Sequence, residues 1–453
     1  MSEVHRRDLL AGAAAFAGFA TVGLLPGTAA AATRQRPGAL LPPSLTIGDK
    51  AVVGRVDARR ALRHLKVLSD GIGWRIAGTD SEHRAARYIA RVLRDLDYKV
   101  ELQPFPVPDK NLAEIHARGE RRWQASASLQ GATGRADGRV VDVGKVVEVP
   151  GDARGKLVLF DRVVGKETDQ AKAAAAAGAE AALIINAPSD AYPERRAASF
   201  APALSEQVAI PVLGLAWYHG SRIRAGARRL SLEVTKYTGL TSYNVLAERK
   251  ATLPNPEGKA VIVSAHYDSV PGSPGANDDG SGTVLCLELA RVLRRLPTQQ
   301  AIRIYLWGAE ELGLVGSRHY VKQLDETGVK RITGCFQNDM VATSHPPAET
   351  YWLLSVDGAD NTTTAAVNAA ARRLGYVDQV QGPTARGSSD HEAFFERGIA
   401  AGNFSWRGNE APSQLEPVYH TPEDTIANNV SLKRLQVSIE LIGCAAYEVA
   451  RHK

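Results

Sequence analysis

The sequence contains few cysteines: Cys286, Cys335 and Cys444 in 453 residues. Small secreted domains that depend on a disulfide framework are far richer in cysteine, so that class is excluded. None of the three has the Cys-x-x-Cys partner typical of cysteine-bound zinc. Because each falls inside a predicted helix or strand, we expect buried free thiols; one optional disulfide is the alternative.

The sequence also lacks concentrated charge and long apolar stretches. Its net charge is +6, but its 55 Lys and Arg residues are dispersed along the chain. Nucleic-acid-binding proteins gather such residues in a patch, so we expect a solvated basic surface and no nucleic-acid partner. Beyond the first 25 residues, no segment approaches the run of about 20 apolar residues that spans a membrane.

The N-terminus has the features of an export signal. Arg6 and Arg7 precede an Ala-rich apolar run that extends to about Leu25, and residues 29–31 satisfy the small-x-small cleavage rule. This order predicts a twin-arginine signal peptide over residues 1–32 and a mature protein that is soluble in the cell envelope or the medium. A signal that stays uncleaved and acts as an anchor is the alternative.

Three predicted strands end at residues that bind metals well. The buried run 260–266 ends at His266, the run 301–308 is followed by Glu310 and Glu311, and the run 332–338 is followed by Asp339. In open α/β sheets, ligands bind in the crevice outside the carboxyl ends of the strands. We therefore expect these side chains to face one crevice.

Two loops supply further candidates. Residues 275–282 form a turn-rich loop that holds Asp278, and the polar loop 419–425 holds His420 before the last predicted helix. Each piece alone is compatible with an ordinary turn or a solvated surface. Together, in order, and with three at strand ends, they predict a metal centre. Its potential ligands are His266, Asp278, Glu311, Asp339 and His420.

With these motifs the chain resembles the co-catalytic dizinc aminopeptidases. That superfamily includes secreted bacterial leucyl aminopeptidases, glutamate carboxypeptidases and the one-zinc glutaminyl cyclases. The resemblance covers residues 58–105 and 240–450. It implies that two zinc ions share Asp278, that His266 and Asp339 complete one site, and that Glu311 and His420 complete the other.

Nitrogen and oxygen ligands favour zinc, although cobalt or manganese also fit them.

Three more residues have expected roles. Since Glu311 is a ligand, Glu310 is free to act as the general base, as the resemblance also implies. We expect Asp268 to accept the second ring N–H of His266; a turn-capping role is the alternative. Tyr419 resembles the family tyrosine that hydrogen-bonds the tetrahedral oxyanion, with ordinary packing as the alternative.

An insertion separates the two matching segments. Residues 108–234 begin with a polar, poorly periodic stretch and continue with a strand at 155–161, an Ala-rich helix at 170–177 and a strand at 181–186. This order resembles the protease-associated (PA) domain inserted into this peptidase family. We expect a lid or a substrate-length filter over the crevice; a passive insert that only adds stability is the alternative.

The predicted fold class is α/β. We expect a three-layer α/β/α peptidase domain, with a mixed, mostly parallel central sheet, over residues 33–107 and 235–453. A smaller α/β domain of the PA type is inserted at residues 108–234.

The predicted function is that of a secreted zinc-dependent exopeptidase, most simply an aminopeptidase whose partners are peptides with a free N-terminus. The chain ends about thirty residues after His420, so the extra helical domain of the large glutamate carboxypeptidases is not expected. A carboxypeptidase of the same superfamily and a non-catalytic, receptor-like binding protein are the alternatives. A one-zinc glutaminyl cyclase is disfavoured by the full ligand set. No oligomeric state is predicted.

Overall fold

The computed structural model describes residues 44–117, 119, 121–187, 197–226 and 228–452, so the predicted signal peptide lies outside the described residues. The strands form an eight-stranded sheet and a closed barrel. They are β1 (Lys99–Val107), β2 (Lys110–Ala117), β3 (Trp123–Ala127), β4 (Gly134–Gly144), β5 (Lys156–Asp161), β6 (Ala181–Ile185), β7 (Val212–Leu215), β8 (Arg229–Tyr237), β9 (Leu240–Arg249), β10 (Ala260–His266), β11 (Ala301–Trp307), β12 (Ile332–Asn338), β13 (Thr350–Ser355), β14 (Val380–Ala385) and β15 (Ala401–Arg407).

The α-helices are interspersed with the strands, and the first three precede β1. A π-helical turn at Lys66–Ile72 and 3₁₀ turns at Glu310–Leu312 and Val377–Gln379 supplement them. In the described part of the chain, no helix is both long and apolar enough to cross a membrane. The α-helices are α1 (Ile47–Val53), α2 (Ala58–Leu65), α3 (Asp80–Asp95), α4 (Glu167–Ala176), α5 (Trp217–Ala225), α6 (Gly280–Leu293), α7 (Val315–Lys322), α8 (Glu326–Arg331), α9 (Thr362–Leu374), α10 (His391–Phe395), α11 (Ile426–Asn429) and α12 (Leu432–Arg451).

The eight-stranded sheet has the order β1-β9-β11-β10-β12-β15-β13-β14. Its four central strands, β11, β10, β12 and β15, are parallel to one another. Strand β9 pairs antiparallel with β11, and β13 pairs antiparallel with β15. The predicted mixed sheet is therefore confirmed, with its parallel strands at the centre.

The central sheet is covered on both faces, which explains why β10 is buried along its whole length. Successive side chains of a strand point to opposite faces. Val261 and Val263 accordingly pack into one apolar core with α6 and α12, whereas Ile262 packs into a second core with Tyr320 of α7 and Phe394 of α10. These two cores confirm the predicted three-layer arrangement.

The inserted region folds as a closed barrel with the strand order β2-β3-β7-β6-β5-β4-β8, accompanied by α4 and α5. The predicted strands at 155–161 and 181–186 correspond to β5 and β6. The polar, poorly periodic stretch that precedes them contains β2, β3 and β4, which were not predicted from the sequence. Much of β4 is exposed, so its polar residues obscured the apolar pattern of a buried strand.

Two short links connect the barrel to the sheet. Val107 at the end of β1 pairs with Leu240 at the start of β9. Lys110 at the start of β2 pairs with Tyr237 at the end of β8. Two residues on each chain segment, 108–109 and 238–239, thus separate the antiparallel ladder of the sheet edge from that of the barrel.

All three cysteines are free and buried. Cys286 lies in α6, Cys335 in β12 and Cys444 in α12. Their thiols pack in the apolar cores of the central sheet. The prediction of buried free thiols is confirmed.

The close contact between α6 and β12 leads to a testable prediction. A Cβ atom on Gly282, in the first turn of α6, would lie 1.8 Å from the carbonyl oxygen of Asn338. Because this neighbour is backbone, a methyl group forces the end of β12 to move, and overpacking of this kind costs about 1–3 kcal/mol. We expect Gly282→Ala to lower the Tm of the protein by several degrees.

Thermal unfolding followed by circular dichroism measures this change. Gly71→Ala is the matched control, since a Cβ atom there meets its nearest neighbour at an ordinary 3.6 Å. An equal Tm for Gly282→Ala and Gly71→Ala would show that the contact between α6 and β12 is not tight.

Candidate metal centre

The predicted ligands meet at the carboxyl edge of the central sheet. Strands β11, β10 and β12 are neighbours and run parallel. His266 is the last residue of β10, Glu310 and Glu311 follow β11 in a 3₁₀ turn, and Asp339 directly follows β12. The expectation that three strand ends face one crevice agrees with this arrangement.

The five predicted ligands form two groups of three, with Asp278 in both. One oxygen of Asp278 lies 3.2 Å from His266 Nε2, and the other lies 3.0 Å from His420 Nε2. Asp339 is 3.7 Å from His266, and Glu311 is 3.1 Å from His420. In each group, one potential ligand atom per residue lies within 4.8 Å of the others.

The distances fit a set of metal ligands. Four atoms bound tetrahedrally at 2.0–2.2 Å lie about 3.3 Å apart, close to the spacing seen here. Asp278 Oδ2, Asp339 Oδ1 and His420 Nε2 are buried and have no hydrogen-bond partner. Since burying such atoms without partners is costly, the residues present fit a pair of bound cations.

The electrostatics of the region support the same conclusion. Burial raises the pKa of Glu310 well above its usual range, and that of Glu311 is also raised. Burial alone would lower the pKa of His420, but Glu311 and Asp278 raise it to about 10. Carboxyl groups outnumber imidazoles here, so the region attracts protons or metal cations. The carboxyl groups are those of Asp268, Asp278, Glu310, Glu311, Asp339 and Asp390.

Comparison with known proteins identifies the family. The chain matches the profile of "Peptidase family M28" over residues 244–444 and that of the "PA domain" over residues 124–223. Aminopeptidase YwaD of Bacillus subtilis is 37% identical over 407 residues, which cover 87% of this chain and 85% of the relative. The chain belongs to peptidase family M28.

Two further matches cover most of the chain. The solved structure of BSAP, described as a zinc aminopeptidase from Bacillus subtilis, is 36% identical, with a TM-score of 0.65 over 88% of this chain and 96% of that one. The "probable lipoprotein aminopeptidase LpqL" of Mycobacterium tuberculosis is 29% identical over 83% of this chain and 82% of the relative. The PA-domain match lies within the barrel, so the predicted resemblance of the insert is confirmed.

Asp268 contacts both His266 and the turn that holds Glu311. Its carboxylate lies 3.5 Å from His266 Nδ1, which forms no hydrogen bond within the described part of the chain. It also accepts the backbone N–H groups of Glu310 at 3.1 Å and Glu311 at 3.3 Å. The carboxylate thereby links the end of β10 to the turn after β11.

Tyr419 lies against the second histidine of the M28 centre. Its ring stacks on His420 with a centroid distance of 3.7 Å. Burial raises the pKa of Tyr419 well above its usual range, and the nearby charges of Asp278 and Glu311 raise it further. The phenol therefore stays protonated at neutral pH and can donate a hydrogen bond.

The backbone at the centre takes unusual conformations. His420 has a φ of 59°, and Ala309, directly before Glu310, has a φ of 55°. Residues other than glycine rarely adopt this left-handed region, and such strain concentrates at functional sites. Packing around the centre thus holds both ligand-bearing loops in costly conformations.

Two buried acids that sequence reasoning missed join the ligand loops. Asp424 accepts the N–H groups of Asn277 at 3.0 Å and Asp278 at 3.1 Å. The side-chain amide of Asn277 donates to Glu416 at 2.8 Å, and that of Asn429 donates to both acids. The loop of Asp278 is thus tied to the segment that contains His420. The sequence signal was the position of Asp424 in the same polar loop as His420.

Arg75 is a second residue that sequence reasoning missed. Its side chain is fully buried and donates to the carbonyl oxygens of Tyr267 at 2.6 Å, Pro274 at 2.6 Å and Gly275 at 2.8 Å. These carbonyls belong to the loop that joins the ligands His266 and Asp278. No sequence signal could have revealed this contact, because its acceptors are backbone atoms almost 200 residues away.

The other histidines of the peptidase part lie outside both ligand groups. His64 pairs with Tyr88, and His83 lies 2.7 Å from the carbonyl oxygen of Thr241. His391 is hydrogen-bonded to the carbonyl oxygen of Arg386. Each has a local structural contact.

The position of Arg75 predicts an effect on metal binding. A lysine keeps the charge but cannot reach three carbonyls from one nitrogen. Loss of groups that orient ligands typically weakens metal affinity about 10- to 100-fold. We expect Arg75→Lys to weaken zinc binding in this range, as measured by competition with a chromogenic chelator.

Arg59→Lys, on the exposed surface of α2, is the matched control. It should bind zinc as the wild type does. Wild-type zinc affinity in Arg75→Lys would show that the loop between His266 and Asp278 holds its shape without the guanidinium.

Proposed function

We propose that this member of family M28 is a zinc-dependent aminopeptidase that removes N-terminal residues from peptides. The observation that carries the proposal is the pair of ligand groups that share Asp278, with Glu310 beside them. The relatives described as aminopeptidases, one of them as a zinc aminopeptidase, support it.

In this proposal the five predicted ligands hold two zinc ions. His266, Asp278 and Asp339 hold one, while Asp278, Glu311 and His420 hold the other. When bound, such ions polarise the scissile carbonyl and make water a stronger nucleophile near neutral pH.

Glu310 is the proposed general base. Its Oε2 atom lies 4.0 Å from His266 Nε2, yet Glu310 belongs to neither ligand group. A carboxylate that is close to the ligands and not used by them can take a proton from the attacking water and pass it to the leaving amine. Asp268 keeps Glu310 in place by accepting its backbone N–H.

Tyr419 and Asp268 have supporting roles. The protonated phenol of Tyr419, stacked on His420, is placed to donate a hydrogen bond to the developing oxyanion. Asp268 orients the ring of His266 so that Nε2 points to the ligand group.

We also propose the domain limits predicted from the sequence: the peptidase domain at 33–107 and 235–453, and the inserted domain at 108–234. The barrel strands, which run from Lys110 to Tyr237, support these limits to within a few residues.

Export of the mature protein belongs to the same proposal. The paired Arg6 and Arg7 support it, as does the relative described as a probable lipoprotein aminopeptidase.

The direction of cleavage is the first prediction of this proposal. We expect the zinc-loaded protein to release the N-terminal residue from peptides with a free amino end and to leave their N-acetylated counterparts intact. Mass spectrometry of both series measures this directly. Release of C-terminal residues from both series would indicate a carboxypeptidase, and intact peptides throughout would indicate a non-catalytic binding protein.

The role of Glu310 predicts a separation of catalysis from metal binding. Glu310→Gln keeps the shape of the side chain but removes the base, and general-base catalysis contributes about 10²- to 10⁴-fold to rate. We expect kcat to fall by this factor while zinc content, measured by atomic absorption, stays at two ions per chain. Glu326→Gln, on an exposed face of α8, is the control; wild-type kcat in Glu310→Gln would remove Glu310 from this role.

Export predicts a defined mature N-terminus. N-terminal sequencing of the protein from outside the cytoplasm should begin at Thr33. Replacing Arg6 and Arg7 together by lysine should retain the precursor inside the cell, because twin-arginine transport recognises the pair. The same exchange at Arg34 and Arg36 is the control; export of the Arg6/Arg7 variant at the normal rate would contradict the twin-arginine route.

A further inference from the structure

A cavity of about 220 Å³ lies between the barrel and the peptidase part of the chain. The barrel side of its lining includes Leu112, Ala127 and Leu129, and the peptidase side includes Val270 and Leu312. A cavity of about 150 Å³ with a comparable apolar lining holds benzene. This one is therefore large enough for a leucine or phenylalanine side chain.

The cavity is continuous with the metal centre. Glu311, a proposed zinc ligand, and Asp268, which contacts His266, both line it. Leu312, also in the lining, directly follows Glu311 in the same 3₁₀ turn. A group that occupies the cavity is consequently within reach of a peptide held at the metals.

The two sides of the cavity are fixed relative to each other. Lys110 of β2 donates a hydrogen bond to the carbonyl oxygen of Ala77, and the N–H of Gly272 donates to the side chain of Gln124 in β3. Gly272 has a φ of +86°, and a Cβ atom there would lie 2.7 Å from the carbonyl oxygen of Gln124. The contact thus depends on glycine, and the cavity is preformed.

The charges of the centre indicate which part of a peptide reaches the cavity. Glu310 and Asp339 are close together, because a carboxylate oxygen of Glu310 lies 4.0 Å and one of Asp339 lies 3.7 Å from the same atom, His266 Nε2. Such a carboxyl cluster attracts the cationic α-amine of a substrate. Neither of these two described residues lines the cavity. With the amine held at the cluster, the chain beyond the scissile bond extends toward Glu311 and Leu312.

We propose that this cavity binds the side chain of the second residue of the peptide substrate and favours a large apolar side chain there. The inference rests on the proposed aminopeptidase function. It gives the PA domain a defined part in the reaction: its barrel forms one side of a specificity pocket for the leaving portion of the peptide.

Filling the cavity tests the proposal. Ala201 is exposed and lines the cavity from the barrel side, so Ala201→Trp occupies it without entering the barrel core. Ala203→Trp, at an exposed neighbouring position, is the matched control. The measured quantity is kcat/KM for Leu-Leu and Leu-Phe relative to Leu-Gly.

We expect the wild type and Ala203→Trp to prefer Leu-Leu and Leu-Phe over Leu-Gly by about tenfold or more, the typical value of a pocket that binds an apolar group. In Ala201→Trp this ratio should fall toward one. Leu129→Ala is a second variant that removes a contact without adding bulk, and it should lower the ratio several-fold. Val164→Ala, at an exposed position of the insert, is its control.

Three other outcomes overturn the proposal in different ways. If Ala201→Trp and Leu129→Ala cleave all three dipeptides with the kcat/KM ratios of the wild type, the proposed pocket is contradicted. The proposed aminopeptidase function is then unaffected. A change confined to the preference for the N-terminal residue, measured with p-nitroanilides of alanine, leucine and phenylalanine, assigns the cavity to the first residue instead. If the wild type releases no N-terminal residue from any peptide, the proposed function fails and this inference fails with it.

Discussion

The structure depends on a concentration of buried negative charge at one edge of the central sheet. Parallel strands bring their carboxyl ends to the same edge, so the ligands that follow β10, β11 and β12 converge. Carboxylates without positive partners are costly to bury, so cations are required to compensate the negative charge of this edge. We therefore expect metal binding and folding of this edge to be coupled, because ions held at the proposed ligand Asp278 would stabilise the loops that surround it.

Backbone contacts hold the centre in shape. Arg75 donates to carbonyl groups, and Asp268 and Asp424 accept backbone N–H groups at the positions of the ligands. A side chain that hydrogen-bonds to the backbone of a loop fixes the path of that loop. The side chains of the loop's own residues do not affect this contact. Neighbouring loops can then vary to change specificity while the metal positions stay constant.

The sequence was sufficient to predict the parts of the site that follow strand ends. His266 and Asp339 were predicted because one ends and the other directly follows a segment with the pattern of a buried strand. Strands β2 to β4 were not predicted because polar residues interrupt all three, and β2 and β4 are also partly exposed. Arg75 and Glu416 were missed for another reason: their partners are backbone atoms or amides of distant segments, and spacing along the chain does not encode those contacts.

The paired links between sheet and barrel have a consequence for evolution. Val107 and Leu240 are direct neighbours across an antiparallel ladder, so the chain leaves and re-enters the sheet at almost the same point. Excision of everything between them leaves two strand ends that a short hairpin turn can join. A gene could therefore gain or lose the whole barrel in one event with the register of the sheet preserved, and each lineage could then shape its own barrel surface independently of the chemistry beneath it.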